Sequence, residues 1–579
     1  MPDAGGLRLA RLSGDDLRVG ARFLGALPRF LRTPFTIEQA AAVVRRRFDE
    51  RATRLLARVR ESCAVPSSPY AKLLGHAGCA PDDLATLVRR DGIEDALHTL
   101  FRAGVYLTGD EFKGRRPVVR GSLTFTINPA TLINPRAVVH GLSESSGSRG
   151  ARTPVPIDLA FIRDHAINTH LTLDVHGGRD WTHAHYGVPG GTSVTNPLEL
   201  AKGGRPPARW FTPVDLATPG LSARYRLGAK AMRAGSILAG VPLPGPTHAP
   251  LDDPMPIVHW LASVVHSGGI PHVWGFSSSA LLVCQAAADA GIDITGARFT
   301  AGGEPTTAAR RRAIESTGAI VLPRMGATET DILSYACASP EAPDDMHFFE
   351  DRHVLIQPGA ESAGAGRGGW SGDAHARASR TAELADTHRV QEAAGDSHAP
   401  AGHRDGPARL PGKAMLLTSL LPSAPVFLLN VCMGDQAELT RRSCGCGMER
   451  HGWTLHIHTV RSFEKLTAGG ITLLDVDVVR VLEEVLPARF GGAPTDYQLL
   501  EQLDDARARP EVRLLVSPAL GPLDASDVAN AFLDAIGGGD SGERLMELQW
   551  RGGGVLRVVR EPPRRTASGK ILHLFLERG

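Results

Sequence analysis

The stretch that decides the fold runs from 272 to 330: HVWGF at 272–276, SALLVCQAAADAG at 279–291, ARFTAGG at 297–303, TTAARRRAIESTG at 306–318 and AIVLPR at 319–324, closed by Met325-Gly-Ala-Thr-Glu-Thr330. Short apolar runs rich in β-branched and aromatic residues alternate with longer segments of helical spacing, and glycines mark the joins. Strand, helix, strand, helix, strand predicts an α/β sheet. Ligands of such sheets bind beyond the carboxyl ends of the strands. That rule singles out Ala301–Pro305 and Arg324–Thr330 on position alone.

On the amino-terminal side, TIEQAAAVVRRRFDERATRLLARVR (36–60) reads as one amphipathic surface helix, capped by Thr36 and with a solvated arginine face. Short helices are expected to about Ala103, and from 104 to 200 turn-forming clusters alternate with β-prone runs such as SLTFTI (122–127). On the other side, HVLIQP (353–358) and AMLLTSLLP (414–422) are strand-like, whereas Pro358–Gly412 is rich in Gly, Ala, Ser, His and charge with almost no large aliphatics. Such a segment buries too little apolar surface to offset its ordering entropy, and a disordered surface insertion is expected there. Beyond TVRSFEKL (459–466), LLDVDVVRVLEEVLP and DASDVANAFLDAIGG read as helices and VRLLVSP and GVLRVVREPP as strands. The expected division is a large domain over 1–461 and a small α+β domain over 462–579.

A chain of 579 residues exceeds what one hydrophobic core usually supports, which agrees with that division. With 64 basic against 62 acidic residues there is no net field to select nucleic acid or an anionic membrane. No apolar run approaches the ~18 residues of a membrane-spanning helix, and the first residues lack a signal-peptide apolar region. A soluble, cytoplasmic protein is expected. Seven scattered cysteines do not form a disulfide framework, so free thiols are expected. The basic residues are mostly arginine, which gives each of the seven lysines more weight.

Five short motifs occur in order. Ser143-Glu-Ser-Ser-Gly-Ser-Arg-Gly150 offers hydroxyls and small residues that let backbone N–H groups approach phosphate. Gly302-Gly-Glu-Pro305 and Met325–Thr330 end two of the strands. Met433-Gly-Asp435 follows the apolar FLLNVC, and Arg565-Thr-Ala-Ser-Gly-Lys570 lies near the carboxyl terminus. Together, and with Ser67-Pro-Tyr-Ala-Lys-Leu-Leu, the set resembles the adenylate-forming superfamily of acyl-CoA synthetases, luciferases and peptide-synthetase adenylation domains, and within it phenylacetate-CoA ligases.

The resemblance implies a large multi-layer α/β domain, a small mobile carboxyl-terminal domain, ATP and Mg2+ as cofactors, and CoA as co-substrate. Ser145, Ser146, Gly147, Ser148 and Gly150 match the family's phosphate loop, and Gly302, Gly303, Glu304 and Pro305 the segment lining the adenine. Thr328 would face the α-phosphate, and Glu329 would hold Mg2+. Asp435 matches the carboxylate that binds the ribose hydroxyls. Arg461 precedes the hinge Arg461-Ser-Phe-Glu464, and Lys570 matches the mobile catalytic lysine. The implied reaction is activation of a small carboxylic acid to an acyl-adenylate, followed by transfer to CoA. A carrier-protein thiol or a nitrogen nucleophile is an alternative acceptor, and a degenerate nucleotide-binding protein an alternative reading of the whole.

Departures from the family pattern are Arg149 in the phosphate loop, Asn430-Val-Cys-Met before Gly434-Asp435, and Phe463-Glu464 at the hinge. Asp174, His176, Trp181, His183, His185 and Tyr186 fall where the subfamily builds its acyl pocket, although buried, satisfied histidines are the simpler expectation there. Cys444-Gly-Cys446, with His451, His456 and His458 after it, has the residue types of a zinc site but no standard finger spacing. A structural turn with free thiols is the preferred reading, and Cys444 and Cys446 the zinc alternative.

Overall fold

The computed structural model describes residues 14–65, 67–144, 154–187, 192–217, 223–250, 253–359, 410–462, 467–468, 471–472, 475–503, 511–536, 556–566 and 569–578. The chain forms two compact units, one of Met1–Val43, Val138–Phe348 and Leu439–Gly579, the other of Val44–Ala137 and Phe349–Glu438.

In the first unit the predicted alternation becomes a parallel sheet. Neighbouring strands run in the order Ile320–Ala327, Arg298–Gly302, Ile270–Phe276, Trp181–Tyr186, Arg209–Thr212 and Pro246–His248. Asp331–Ala336, Met346–Phe348 and Leu455–Ser462 extend it antiparallel beyond Ile320–Ala327. Helices such as Thr192–Lys202, Met255–His266, Ser277–Asp289 and Ala308–Glu315 connect the parallel strands. Val273, Phe299 and Val321 of the sheet pack against Ile257, Leu261, Leu281, Cys284, Ala287 and Ile314 of these helices, all buried. Covered strands of this kind need the near-continuous apolar runs that the sequence shows at HVWGF and AIVL.

The order of connection fixes the ligand crevice. From Trp181–Tyr186 the chain steps outward to Arg209–Thr212 and Pro246–His248, then returns to the other side of Trp181–Tyr186 at Ile270–Phe276 and proceeds the opposite way. Successive crossovers therefore diverge between Tyr186 and Phe276. Such a switch point opens a crevice at the carboxyl ends of the two strands.

The carboxyl-terminal part of the first unit has its own four-stranded sheet, ordered Leu556–Val559, Glu511–Val516, Tyr497–Leu503 and Leu574–Arg578. Val478, Leu482, Leu486, Leu499, Leu514, Phe532 and Ile536 form its core. Two of these strands were legible as VRLLVSP and GVLRVV. The helix expected at 473–487 is helical over 475–490 and widens to one π-helical turn at Val481–Val485, which contains Glu483.

In the second unit, helices Arg51–Cys63, Pro69–His76, Pro81–Asp91 and Ile93–Arg102 accompany the antiparallel strands His353–Ile356, Ala414–Ser419 and Val431–Arg441. The single helix expected over 36–60 is instead two, Ile37–Asp49 and Arg51–Cys63, broken at Glu50 (φ −95°, ψ 4°). One kinked residue leaves the apolar spacing intact, which is why periodicity did not reveal the break. Nor is the arginine face wholly solvated: Arg47 is buried and pairs with Asp351 at 3.1 Å, and Arg58 is buried beside Glu61.

Asn430, one of the departures, is explained by this unit. Its φ of +50° is left-handed, a conformation that asparagine tolerates better than most residues. Its side-chain amide donates to the carbonyls of Leu97 (2.9 Å) and Val105 (3.1 Å), and its backbone N–H to Thr418 Oγ1 (3.0 Å). An arginine there would have to bury a charge between two carbonyls.

Of the expected insertion, Pro358–Gly412, residues 360–409 lie outside the described residues, but its described ends meet: Gly359 N donates to the carbonyl of Gly412 at 2.8 Å. Removing Ala360–Arg409 and bridging the gap with a short glycine–serine linker is therefore expected to leave the melting temperature within a few degrees of the parent. Loop closure depends only weakly on length. A large drop in a thermal melt would show that the segment packs. Among the described residues no helix is long and apolar enough to cross a membrane.

Candidate functional site

Strand Arg298–Gly302 delivers the GGEP segment to the crevice. Gly303 has φ +73°, a backbone that non-glycine side chains rarely adopt. Glu304 then turns inward and is buried. Its carboxylate accepts the backbone N–H and hydroxyl of Ser278, both at 2.9 Å, at the amino-terminal end of helix Ser277–Asp289. Negative charge is favourable at a helix amino terminus. The third donor is Arg310 Nη1 at 2.8 Å. Glu304 thus shapes this segment through its side chain, leaving backbone to face the crevice.

Arg310 is the centre of a buried ionic cluster. Beyond Glu304 it donates from Nε to Glu483 Oε1 (2.7 Å) and from Nη2 to the carbonyl of Ile571 (3.4 Å). His573 Nε2 lies 2.6 Å from Glu483 Oε1, and Thr307 donates its hydroxyl to the same carboxylate. Burial alone would raise the Glu483 pKa, but Arg310 and His573 outweigh it and hold the carboxyl at about 2. One arginine therefore joins the helix Ala308–Glu315, the π-turn at Glu483 and the residues immediately after Lys570.

The consequence is the position of Lys570. The TASGK turn is closed by Thr566 N to the Lys570 carbonyl (2.9 Å) and Lys570 N to Thr566 Oγ1 (3.0 Å), with Gly569 at φ +86°. The ammonium sits 4.7 Å from the centre of the Phe276 ring. A Cβ added to Gly303 would fall 2.9 Å from Lys570 Nζ. A lysine near the end of the chain is thus held at the carboxyl ends of Ile270–Phe276 and Arg298–Gly302, beside the switch point.

The third element is the hairpin from Ile320–Ala327 to Asp331–Ala336. Its turn is closed by Thr330 N to the Ala327 carbonyl (3.1 Å) and by Ala327 N to Thr330 Oγ1 (3.2 Å). Gly326 lies at a bulge, where a Cβ would come within 2.2 Å of the Asp331 carbonyl oxygen. The turn buries Glu329 and leaves Thr328 half-buried. Behind it, burial and the neighbouring Asp331 push the Glu199 carboxyl well above the usual carboxylate range. Arg324 stacks over the Trp274 ring at 4.9 Å on the same strand ends.

The structure thus brings Gly302, Gly303, Glu304, Pro305, Thr328, Glu329 and Lys570 to the carboxyl edge of one sheet. Arg461 is elsewhere in the unit, donating to Asp344 Oδ2 (3.4 Å) and to the carbonyl of Val460 (2.6 Å). Asp435 belongs to the second unit, half-buried on Val431–Arg441. Ser145, Ser146, Gly147, Ser148, Arg149 and Gly150 lie outside the described residues, as do Phe463 and Glu464.

His183 and His185 are core residues. Burial drives both pKa values down to about 3. His183 Nδ1 is 2.8 Å from His272 Nδ1, and His185 Nε2 is 2.9 Å from Ser193 Oγ. Trp181 and Tyr186 are buried in the same strand, and His176 hydrogen-bonds the Ala336 carbonyl at 2.9 Å. The ionic residues that sequence reading missed are Arg310, Glu483, His573 and Glu199. Arg310 is one of three consecutive arginines and Glu483 one of two glutamates, and spacing alone does not say which turns inward.

No family model and no curated protein matches the chain. Among solved structures it is similar to a 2-hydroxyisobutyryl-CoA ligase in complex with 2-HIB-AMP and CoA, at 16% identity and a TM-score of 0.41 over 92% of this chain and 90% of that one. An o-succinylbenzoate coenzyme A synthetase from Bacillus subtilis, with ATP and magnesium ion, gives 12% identity and 0.37 over 75% and 69%. McyG A-PCP complexed with phenylalanyl-adenylate gives 10% and 0.35 over 77% and 57%.

Proposed function

We propose that this protein activates a carboxylic acid with ATP, forming an acyl-adenylate and pyrophosphate, and then passes the acyl group to a thiol, with CoA the first choice. The observation that carries the reading is the placement of the Lys570 ammonium against Gly303 and Phe276, on the strand ends that the sheet topology marks as a ligand crevice.

The chemistry requires such a group. Attack of a carboxylate oxygen on the α-phosphorus builds negative charge on the phosphoryl oxygens as the bond to pyrophosphate breaks. Fixed cations and donors that meet this charge are the main contribution a protein makes to such a transfer. Lys570 would supply the cation, Thr328 a hydroxyl donor to the α-phosphate, and the GGEP backbone a flat wall for adenine. Glu329 is suited to Mg2+, which is usually held through one or two carboxylates and the substrate's own phosphates. When bound, that ion neutralises phosphate charge. Ser145, Ser146, Gly147, Ser148 and Gly150 would bind the departing phosphates, Asp435 the ribose hydroxyls, and Arg461 would flank the hinge of a mobile small domain.

Within this reaction class we favour a phenylacetate-CoA ligase-like enzyme, on the SPYAKLL segment. The degenerate binding protein is disfavoured because Glu329 and Lys570 are both retained on the strand ends. A pyrophosphate-exchange screen over aryl, arylacetic, fatty and amino acids tests the proposal. Exchange that needs Mg2+ and one acid class supports it, and silence with every class favours the degenerate protein. CoA, a carrier protein and hydroxylamine, offered in turn to the active acid, identify the acceptor.

A further inference from the structure

The CGC turn is part of a larger cluster that the sequence spacing conceals. Cys337 follows the strand Asp331–Ala336, His347 lies in Met346–Phe348, Cys444 follows Val431–Arg441, and His456 lies in Leu455–Ser462. His347 and His456 face each other in register on adjacent antiparallel strands. The donor atoms of Cys337, His347, Cys444 and His456 all lie within 4.8 Å of one another. Cys446 adds a further sulfur, 3.2 Å from His347 Nε2.

Each residue is held as a metal ligand would be. His347 Nδ1 is 2.8 Å from the carbonyl of Trp453, and His456 Nδ1 is 2.8 Å from Asp345 Oδ1. Both contacts place the ring proton on Nδ1 and leave the Nε2 lone pair facing the cluster, the carbonyl and carboxylate backing typical of histidine ligands. His456 is fully buried, and its Nε2 has no hydrogen-bond partner among the described residues. A buried polar atom of that kind needs an explanation. The sulfurs are also prepared: Ser339 N is 3.3 Å from Cys337 Sγ and Cys446 N is 3.5 Å from Cys444 Sγ, each donor two residues beyond its cysteine.

We infer that Cys337, His347, Cys444 and His456 hold a structural zinc ion. Two thiolates and two imidazoles closing a tetrahedron is a ligand set that zinc prefers, and a closed set of four leaves no open position for catalysis. The ion would tie the CGC loop to the strands beside it. The same corner carries Asp344, which accepts the N–H groups of Thr459 (2.9 Å) and Val460 (3.0 Å) and pairs with Arg461. Metal binding therefore fixes the strand that leads to Arg461. The inference takes up the zinc alternative offered by Cys444 and Cys446, whose thiols are free of disulfides, and adds Cys337 and His347, which lie 107 and 97 residues before Cys444 and form no spacing pattern with it.

The full-length protein, purified without chelator, is expected to contain one zinc per chain by mass spectrometry. Cobalt(II) added to protein stripped by chelator should give the intense d–d bands of a tetrahedral thiolate site. Cys444→Ser and Cys337→Ser should each lose the zinc and these bands, while Cys63→Ser, in the other unit, should keep both. If the cysteine variants do not fold, the zinc content and cobalt spectrum of the parent decide the matter. A parent protein with neither zinc nor a tetrahedral cobalt spectrum overturns the inference. So does a Cys444→Ser variant that keeps full zinc, or alkylation that finds these cysteines bridged.

Discussion

Lys570→Ala is expected to slow acid-dependent pyrophosphate exchange by about a hundredfold or more, equivalent to about 3 kcal/mol of lost transition-state stabilisation. Charge on the α-phosphoryl group peaks in the transition state, so the loss should appear in kcat and leave the KM for ATP little changed. Stability should be largely preserved, because the side chain is only half-buried and its ammonium rests on the face of the Phe276 ring. Exchange at the parent rate by a folded Lys570→Ala protein would remove the lysine from the chemistry, and with it the main support for the proposed reaction.

Arg310→Leu is expected to be the most destabilising single change at the site, costing about 3–5 kcal/mol, because it leaves the buried carboxylates of Glu304 and Glu483 without their shared cation. Activity should fall with stability, since Ile571 and His573 lose the contact that sets Lys570 in place. The same cluster has a pH signature. Glu483 is held at about 2 against an ordinary 4.5, so its contribution is present above pH 4.5 and is lost as pH falls toward 2. The size is roughly 3 kcal/mol for a shift of that extent. Melting temperatures of the parent and of Glu483→Gln should therefore converge as pH is lowered from about 5 to 2. Parallel curves would show that Glu483 carries no such dependence.

The α/β core was legible because strands covered on both faces must be apolar throughout, and HVWGF, ARFTAGG and AIVLPR alternate with amphipathic helices in the order the sheet uses. The strand ends that form the site were legible for the same reason: Gly302–Pro305 and Thr328–Glu329 lie where the runs stop. The break at Glu50 was not, because a one-residue kink keeps the apolar period. The strands Tyr497–Leu503 and Leu574–Arg578 mix polar and apolar residues and pair Leu499 with Leu574 across a long sequence separation, so their pairing was not visible locally. Least legible were the groups assembled across long sequence separations. Arg310 meets Glu483 from 173 residues away and Cys444 meets His347 from 97, and no local pattern records either meeting.

The central claim is that a carboxylate oxygen of the acid becomes bonded to the α-phosphorus of ATP. The most direct measurement uses the acid found in the exchange screen, labelled with oxygen-18 in its carboxylate, and a thiol acceptor. Adenylation followed by thiol attack breaks the acyl–oxygen bond, so one labelled oxygen should appear in the phosphoryl group of AMP and none in pyrophosphate. Label in inorganic phosphate with ADP as the nucleotide product would mean an acyl-phosphate route, and unlabelled AMP would mean that the acid never reached the α-phosphorus. Either result would contradict the account.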